Sequence, residues 1–185
     1  MTQLAVVWRR TDKPGHEYCT LAKTDHGMKL TGVAVLTNEG VPCCLQYSVD
    51  CDAQWCTLLC RLSGYIGKHA VTLDIRREAE KWLLNGLEVP EVSGADDIDL
   101  GFSPSTNLLP IRRLALEVGK SAKVRAAWLR FPDLTLEPLD QTYTRLGPDT
   151  YHYESAGGAF KRDLKVDENG MVVEYPELWS AESHA

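Results

Sequence analysis

The chain has 185 residues, 44% of them hydrophobic and 25% charged, and carries a formal net charge of -6. That length makes one domain, or at most two very small ones, and buries a substantial core without disulfides or metal. The balance excludes a disordered chain, and it excludes the basic surface of a nucleic-acid binder, since the densest basic spots are the pairs Arg9-Arg10, Arg76-Arg77 and Arg112-Arg113.

In chain order, strand-like runs dominate. Leu4 to Trp8, Tyr18 to Leu21 and Lys29 to Leu36 come first, the last two separated by a polar turn that contains Gly27. Cys43 to Cys51 and Trp55 to Leu62 follow, joined by a connection short enough for a hairpin. His69 to Ile75 alternates, with Val71, Leu73 and Ile75 on one side. The stretch Arg77 to Leu84 has a helical composition, but Asn85-Gly86 follows at once. Asn-Gly is the strongest two-residue hairpin signal, so strand, turn, strand is expected. Glu91 to Pro110 is rich in Gly, Pro and Ser, and predicts irregular chain apart from a short turn of helix near Ser105 to Leu109. Strands resume at Ile111 to Val118, Val124 to Phe131, Leu134 to Leu139, Gln141 to Leu146 and Thr150 to Glu154. Phe160 to Val166 and Met171 to Tyr175 flank a second Asn-Gly turn, and Ser180 to Ala185 reads as a frayed tail. Many short strands with turn signals predict a mainly β protein of one domain over residues 1–185, with little helix.

The opening residues hold no basic n-region and too short an apolar run for a signal peptide. No apolar stretch approaches the roughly 20 residues that span a bilayer, so no stable membrane insertion is expected. A cytoplasmic protein is expected, with its six cysteines reduced. No Cys-x-x-Cys pair exists, and cysteine then acts as a small core hydrophobe. Cys43, Leu45, Tyr47, Val49 and Cys51 share one strand face, as do Cys56, Leu58, Cys60 and Leu62 if that strand is regular. There is no P-loop, dinucleotide loop, nucleophile elbow or zinc helix. The acidic stretch at Asp96 to Asp99 fails as a calcium loop, because the twelfth position is Asn107 or Leu108 rather than Glu. No cofactor, metal or catalytic residue is therefore expected.

One segment does not look like scaffold. Asp97 to Leu114 packs two aspartates, Asn107, Arg112 and Arg113 among apolar residues. Read as extended chain, Asp97 and Asp99 point the same way, and Arg112 shares a face with Leu114 and Leu116. A buried charge needs a partner, which points to Asp97, Asp99 or Asp52 for Arg112. Two interpretations stand side by side: an ion-pair and amide network that fixes a loop, or the polar floor of an otherwise apolar ligand pocket. Aromatics, Trp55 and Trp128 among them, are spread along the chain and serve either as core or as pocket wall.

These residues also carry a resemblance. The string from Asp97 through Asn107 to Leu114 is similar to the signature of a bacterial family labelled "putative glycolipid-binding". Further matches run in order through Tyr47, Val49, Cys51, Asp52, Trp55 and Thr57, then Ala127 to Leu134, Gln141 and Tyr143, Tyr151 and Tyr153, and finally Gly170 to Trp179. The resemblance implies a curved antiparallel sheet, a β-roll or incomplete barrel, similar in shape to bacterial lipoprotein carriers. It implies a non-enzymatic carrier for an amphipathic ligand such as a glycolipid. In that view the apolar tail lies against the concave sheet, and Asp97, Asp99, Asn107, Arg112 and Arg113 hold the head. Trp55, Trp128 and Tyr143 complete the candidate ligand-binding set. The alternatives are an enzyme using Asp97 or Asp99 as base with Arg112 stabilising an anion, and an interaction protein whose polar loop is only structural.

Overall fold

The structure, a computed structural model, describes residues 4–184. The eight strands of the N-terminal half follow one another as an antiparallel meander. They are β1 (Leu4–Arg10), β2 (Gly15–Lys23), β3 (Gly27–Asn38), β4 (Val41–Asp52), β5 (Thr57–Ile66), β6 (His69–Glu78), β7 (Lys81–Leu84) and β8 (Leu87–Glu88). The C-terminal half begins with β9 (Asp97–Leu100) and α1 (Leu108–Leu114), the one α-helix among the described residues. It continues through β10 (Ser121–Arg130), β11 (Thr135–Arg145), β12 (Thr150–Ser155), β13 (Phe160–Val166), β14 (Val172–Tyr175) and β15 (Trp179–His184). All fifteen strands form one sheet in the order β8 to β1, then β15 to β9. Every pairing is antiparallel except β9 with β10.

The predicted β-roll or incomplete barrel is thus the observed fold: the sheet curls on itself and is not closed by a ladder. Where the edge strand β9 comes up against β5, Thr57 acts as a clasp. Its N–H donates to the carbonyl of Asp96 and its hydroxyl accepts from the N–H of Ile98, both at 3.0 Å. Alternation drives the curl. Leu30, Leu45, Leu62 and Ile75 are at most 1% exposed on successive strands, so one face of the sheet is removed from water and must wrap around itself. The Asn85-Gly86 turn forms as read, with both residues at positive φ, the type I′ geometry that matches strand twist.

Four readings of the sequence are corrected. Ile111 to Leu114 is helix rather than strand. Leu108, Leu109, Pro110 and Ile111 are all buried, an apolar run whose period does not separate strand from helix. Residues Asp97 to Leu100 form β9 inside the stretch expected to be irregular. Leu134 to Leu139 and Gln141 to Leu146, expected as two strands, are replaced by one, β11 (Thr135–Arg145). The expected frayed tail is β15, a central strand that pairs with β1 from Val6 opposite His184 to Arg10 opposite Trp179; Ala185 lies outside the described residues. The face of Cys56, Leu58, Cys60 and Leu62 is also broken. A register shift opposite Asp50 and Cys51 turns Leu58 outward and Thr57 inward.

Candidate ligand-binding site

The segment singled out in the sequence divides into two parts with different surroundings. One part is an ion-pair network. Arg113 donates from Nε to Asp97 Oδ1 at 3.3 Å, binds Asp97 Oδ2 through a second nitrogen, and reaches Asp96 at 3.2 Å. Arg77 on β6 holds the other oxygen of Asp96 at 3.2 Å. Asp97 is 2% exposed; burial pushes its carboxyl up, and the bonds from Arg113 pull it back. The network joins β6, the start of β9 and α1.

The partner of these acids is therefore Arg113, not Arg112. On a strand Arg112 would face inward, whereas the helical rise of α1 swings it out to solvent, and the next residue takes its place. The Arg112 guanidinium instead lies over the Trp55 ring at 5.2 Å. Trp55 sits in the turn before β5 at positive φ rather than on a strand face. Asp52 caps that turn by accepting from the N–H groups of Gln54 and Cys56, each at 2.9 Å.

The other part opens on a cavity of about 350 Å³ in the C-terminal half. Its walls are aromatic: Trp128 from β10, Tyr153 from β12, Phe160 from β13, Tyr175 from β14 and Trp179 from β15. Tyr153, Phe160 and Tyr175 meet each other with ring centres 5.9 to 6.3 Å apart. Asp99, Ser103, Asn107 and Ser155 bring polar atoms to the same space. Asp99 and Trp128 are side by side because parallel pairing sets them in register. The missing side chain of Gly101 lets the indole lie close, since a Cβ there would fall 2.7 Å from Trp128 Nε1.

Each polar group is positioned by a neighbour. Gln141 Nε2 donates to Asp99 Oδ2 at 2.6 Å, and burial raises the Asp99 carboxyl to about 6. Asn107 Nδ2 donates to the hydroxyl of Tyr143 at 2.9 Å, and Tyr143 is wholly buried beside Tyr153. Of the eight candidates, then, Asp99, Asn107 and Trp128 line the cavity and Tyr143 stands behind Asn107. Asp97 and Arg113 brace the segment from outside, and Arg112 and Trp55 form a separate surface stack.

The sequence reading missed a third group. Glu17 on β2 is wholly buried, and its Oε1 accepts from Tyr47 at 2.5 Å and from Ser103 at 2.6 Å. Tyr47 also reaches Ser105 at 2.7 Å, while Glu17 Oε2 has no partner among the described residues. Burial lifts the carboxyl to about 7, against the two hydrogen bonds. Gly32 leaves room for this, as a Cβ there would fall 2.4 Å from the Tyr47 ring. The signal was present: Glu17 alternates with Cys19 and Leu21, the inward residues of β2.

Among the described residues no group of His, Cys, Asp and Glu is arranged to hold a metal ion, and no helix is long and apolar enough to cross a membrane.

A family model described as "Putative glycolipid-binding" matches residues 5–181. Among solved structures, a DUF1089 family protein from Pseudomonas aeruginosa aligns with a TM-score of 0.79 at 32% identity, over 89% of this chain and 91% of that one. A β-barrel-like protein of the domain of unknown function DUF1849 from Brucella abortus aligns with a TM-score of 0.59 at 10% identity, over 98% and 96% of the two chains. At that identity the second likeness concerns the fold alone. No curated protein matches the chain.

Proposed function

The chain belongs to the putative glycolipid-binding family, and from that membership we propose that it is a non-enzymatic binding or carrier protein for an amphipathic molecule such as a glycolipid. The observation that carries the proposal is the cavity of about 350 Å³, with ring-lined walls and polar groups at Asp99, Ser103, Asn107 and Ser155. That volume falls within the about 300–1,000 Å³ of small-molecule sites, and the mixture of lining groups is typical of them. The apolar part of the ligand lies against Tyr153, Phe160, Tyr175 and Trp179, where burial is worth roughly 25 cal/mol per Å². The polar part meets Asp99 and Asn107, which Gln141 and Tyr143 hold in place.

The rival enzyme, with Asp99 as base and Arg112 on an anion, finds less support. Asp99 opens on the cavity with a raised pKa, but Arg112 is not among the lining residues. The proposal is tested by native mass spectrometry of the protein purified gently from its own cells, set against the denatured mass. A released extra mass is expected, and its identity names the ligand. An unliganded mass that persists after incubation with a membrane-lipid extract overturns the proposal.

A further inference from the structure

Among the groups that open on the cavity, Asp99 is out of balance with its surroundings. Its Oδ2 accepts from Gln141, a neutral donor, and among the described residues its Oδ1 accepts nothing and no cation pairs with it. The charged and titratable groups that face it are Asp97 on the same strand, Tyr143 from β11, Tyr153 from β12 and Tyr175 from β14. None of them is cationic, and Asp97 is already taken by Arg113. With its carboxyl at about 6, Asp99 is still mostly ionised at neutral pH. Asp99 is partly buried, and a cation that enters the cavity meets a carboxylate for which no positive partner competes among the described residues.

The rest of the wall has the same preference. Ring faces are electron-rich and attract cations, most strongly where water is excluded. Trp128, Tyr153, Phe160, Tyr175 and Trp179 surround the space, and among the described residues no Lys or Arg lines it. Arg10, Arg130 and Arg162 do stack on Trp179, Trp128 and Phe160. Each is engaged by an acid, Asp12, Glu137 and Glu177 respectively.

Resting on the carrier reading above, we propose that the head group taken by this cavity carries a positively charged nitrogen, a protonated amine or a quaternary ammonium, held by Asp99 and the surrounding rings. An amino sugar on a lipid has this chemistry.

Four probes of equal chain length test it below their micelle concentrations: decylamine, decyltrimethylammonium, decyl glucoside and decyl sulfate. Binding is followed by calorimetry and by tryptophan fluorescence. One or both cationic probes are expected to bind about tenfold more tightly than the glucoside, with the sulfate weakest; which of the two leads separates amine from quaternary ammonium. Asp99→Asn keeps an oxygen for Gln141 and is expected to abolish the cationic advantage, read as the ratio of cationic to glucoside affinity. Because a variant can misfold, the wild-type protein is also titrated downward through pH 6, where protonation of Asp99 is expected to erase the same advantage. Glucoside binding as tight as or tighter than both cations, or a cationic advantage that survives both Asp99→Asn and low pH, overturns the inference and leaves the carrier reading standing. If none of the four binds, both fall.

Discussion

The two halves of the sheet use one construction for different ends. In β1 to β8 most inward residues are aliphatic or thiol, with Trp8, Tyr47 and Trp82 set singly among them: Cys19, Leu30, Leu45, Val49, Cys60, Leu62 and Ile75 are at most 1% exposed. Branched and compact side chains interdigitate, and such a core fills to crystal density. In β10 to β15 the inward residues include Trp128, Tyr143, Tyr153, Phe160 and Tyr175. Planar rings that meet edge to face leave gaps beside them, and each phenol needs a hydrogen-bond partner. The N-terminal half is a filled scaffold and the C-terminal half holds the ring-lined cavity, and the clustering of inward rings separates them. The strand pairing is alike in both.

Substitutions can break this division. The largest effect is expected at the seam. Arg113→Ala leaves Asp97 buried without a cation and should cost about 3–5 kcal/mol in urea unfolding, whereas exposed Arg112→Ala should change stability by less than about 0.5 kcal/mol. Equal losses would put the wrong arginine at the seam.

Glu17 is a polar exception in the filled half. Its folded pKa, about 7, lies above the ordinary 4.5, so the folded state binds its proton more tightly than the unfolded chain. Stability from this group is fully present below about 4.5 and is lost as pH rises to about 7, on the order of 3 kcal/mol in all. Glu17→Gln should flatten that part of a stability profile measured from pH 4 to 8; an unchanged slope would show that another group titrates.

Leu45→Ala in the scaffold should cost about 3 kcal/mol without weakening ligand binding. Trp128→Ala in the cavity wall should cost only about 1 kcal/mol but lower affinity roughly tenfold. Were each to change both quantities alike, the division would fail. The smallest effect concerns thiols. Cys44 and Cys56 are partly exposed and should react with a thiol reagent in the native protein. Burial raises Cys19 and Cys60 to about 12, and these, with Cys43 and Cys51, should react only on unfolding.

The fold was legible wherever one face of a strand is wet. Alternation and two Asn-Gly turns located most strands, including β6 and β7, where helical composition pointed the other way. It was not legible where both sides are covered. The run Leu108 to Ile111 is buried all round and has no polar face to set its period. At β15 the fault is reversed, because polar Ser183 and His184 are exposed although their backbone pairs with β1, and exposed Glu182 sits at a bulge between the pairs. The candidate site was half legible. Residue types marked the segment from Asp97 to Arg113, but the partner of each charge depended on one helical turn, and the rings of the cavity come from five strands that no local pattern connects.

The pairing of β1 with β15 has a further consequence for synthesis. Val6 and His184 are neighbours in the sheet and lie at opposite ends of the described chain. Contacts so distant in sequence form late and slow folding. On the ribosome, the meander from β1 to β8 is complete while the partner of β1 is still unmade, and the stretch from Glu88 to His184 takes roughly 5–20 s to emerge. Through that interval β1 presents an unpaired edge, the kind of surface on which nascent chains pair wrongly. The last strand joins two meanders into one sheet, and its late arrival also sets how long the newborn protein is open to aggregation.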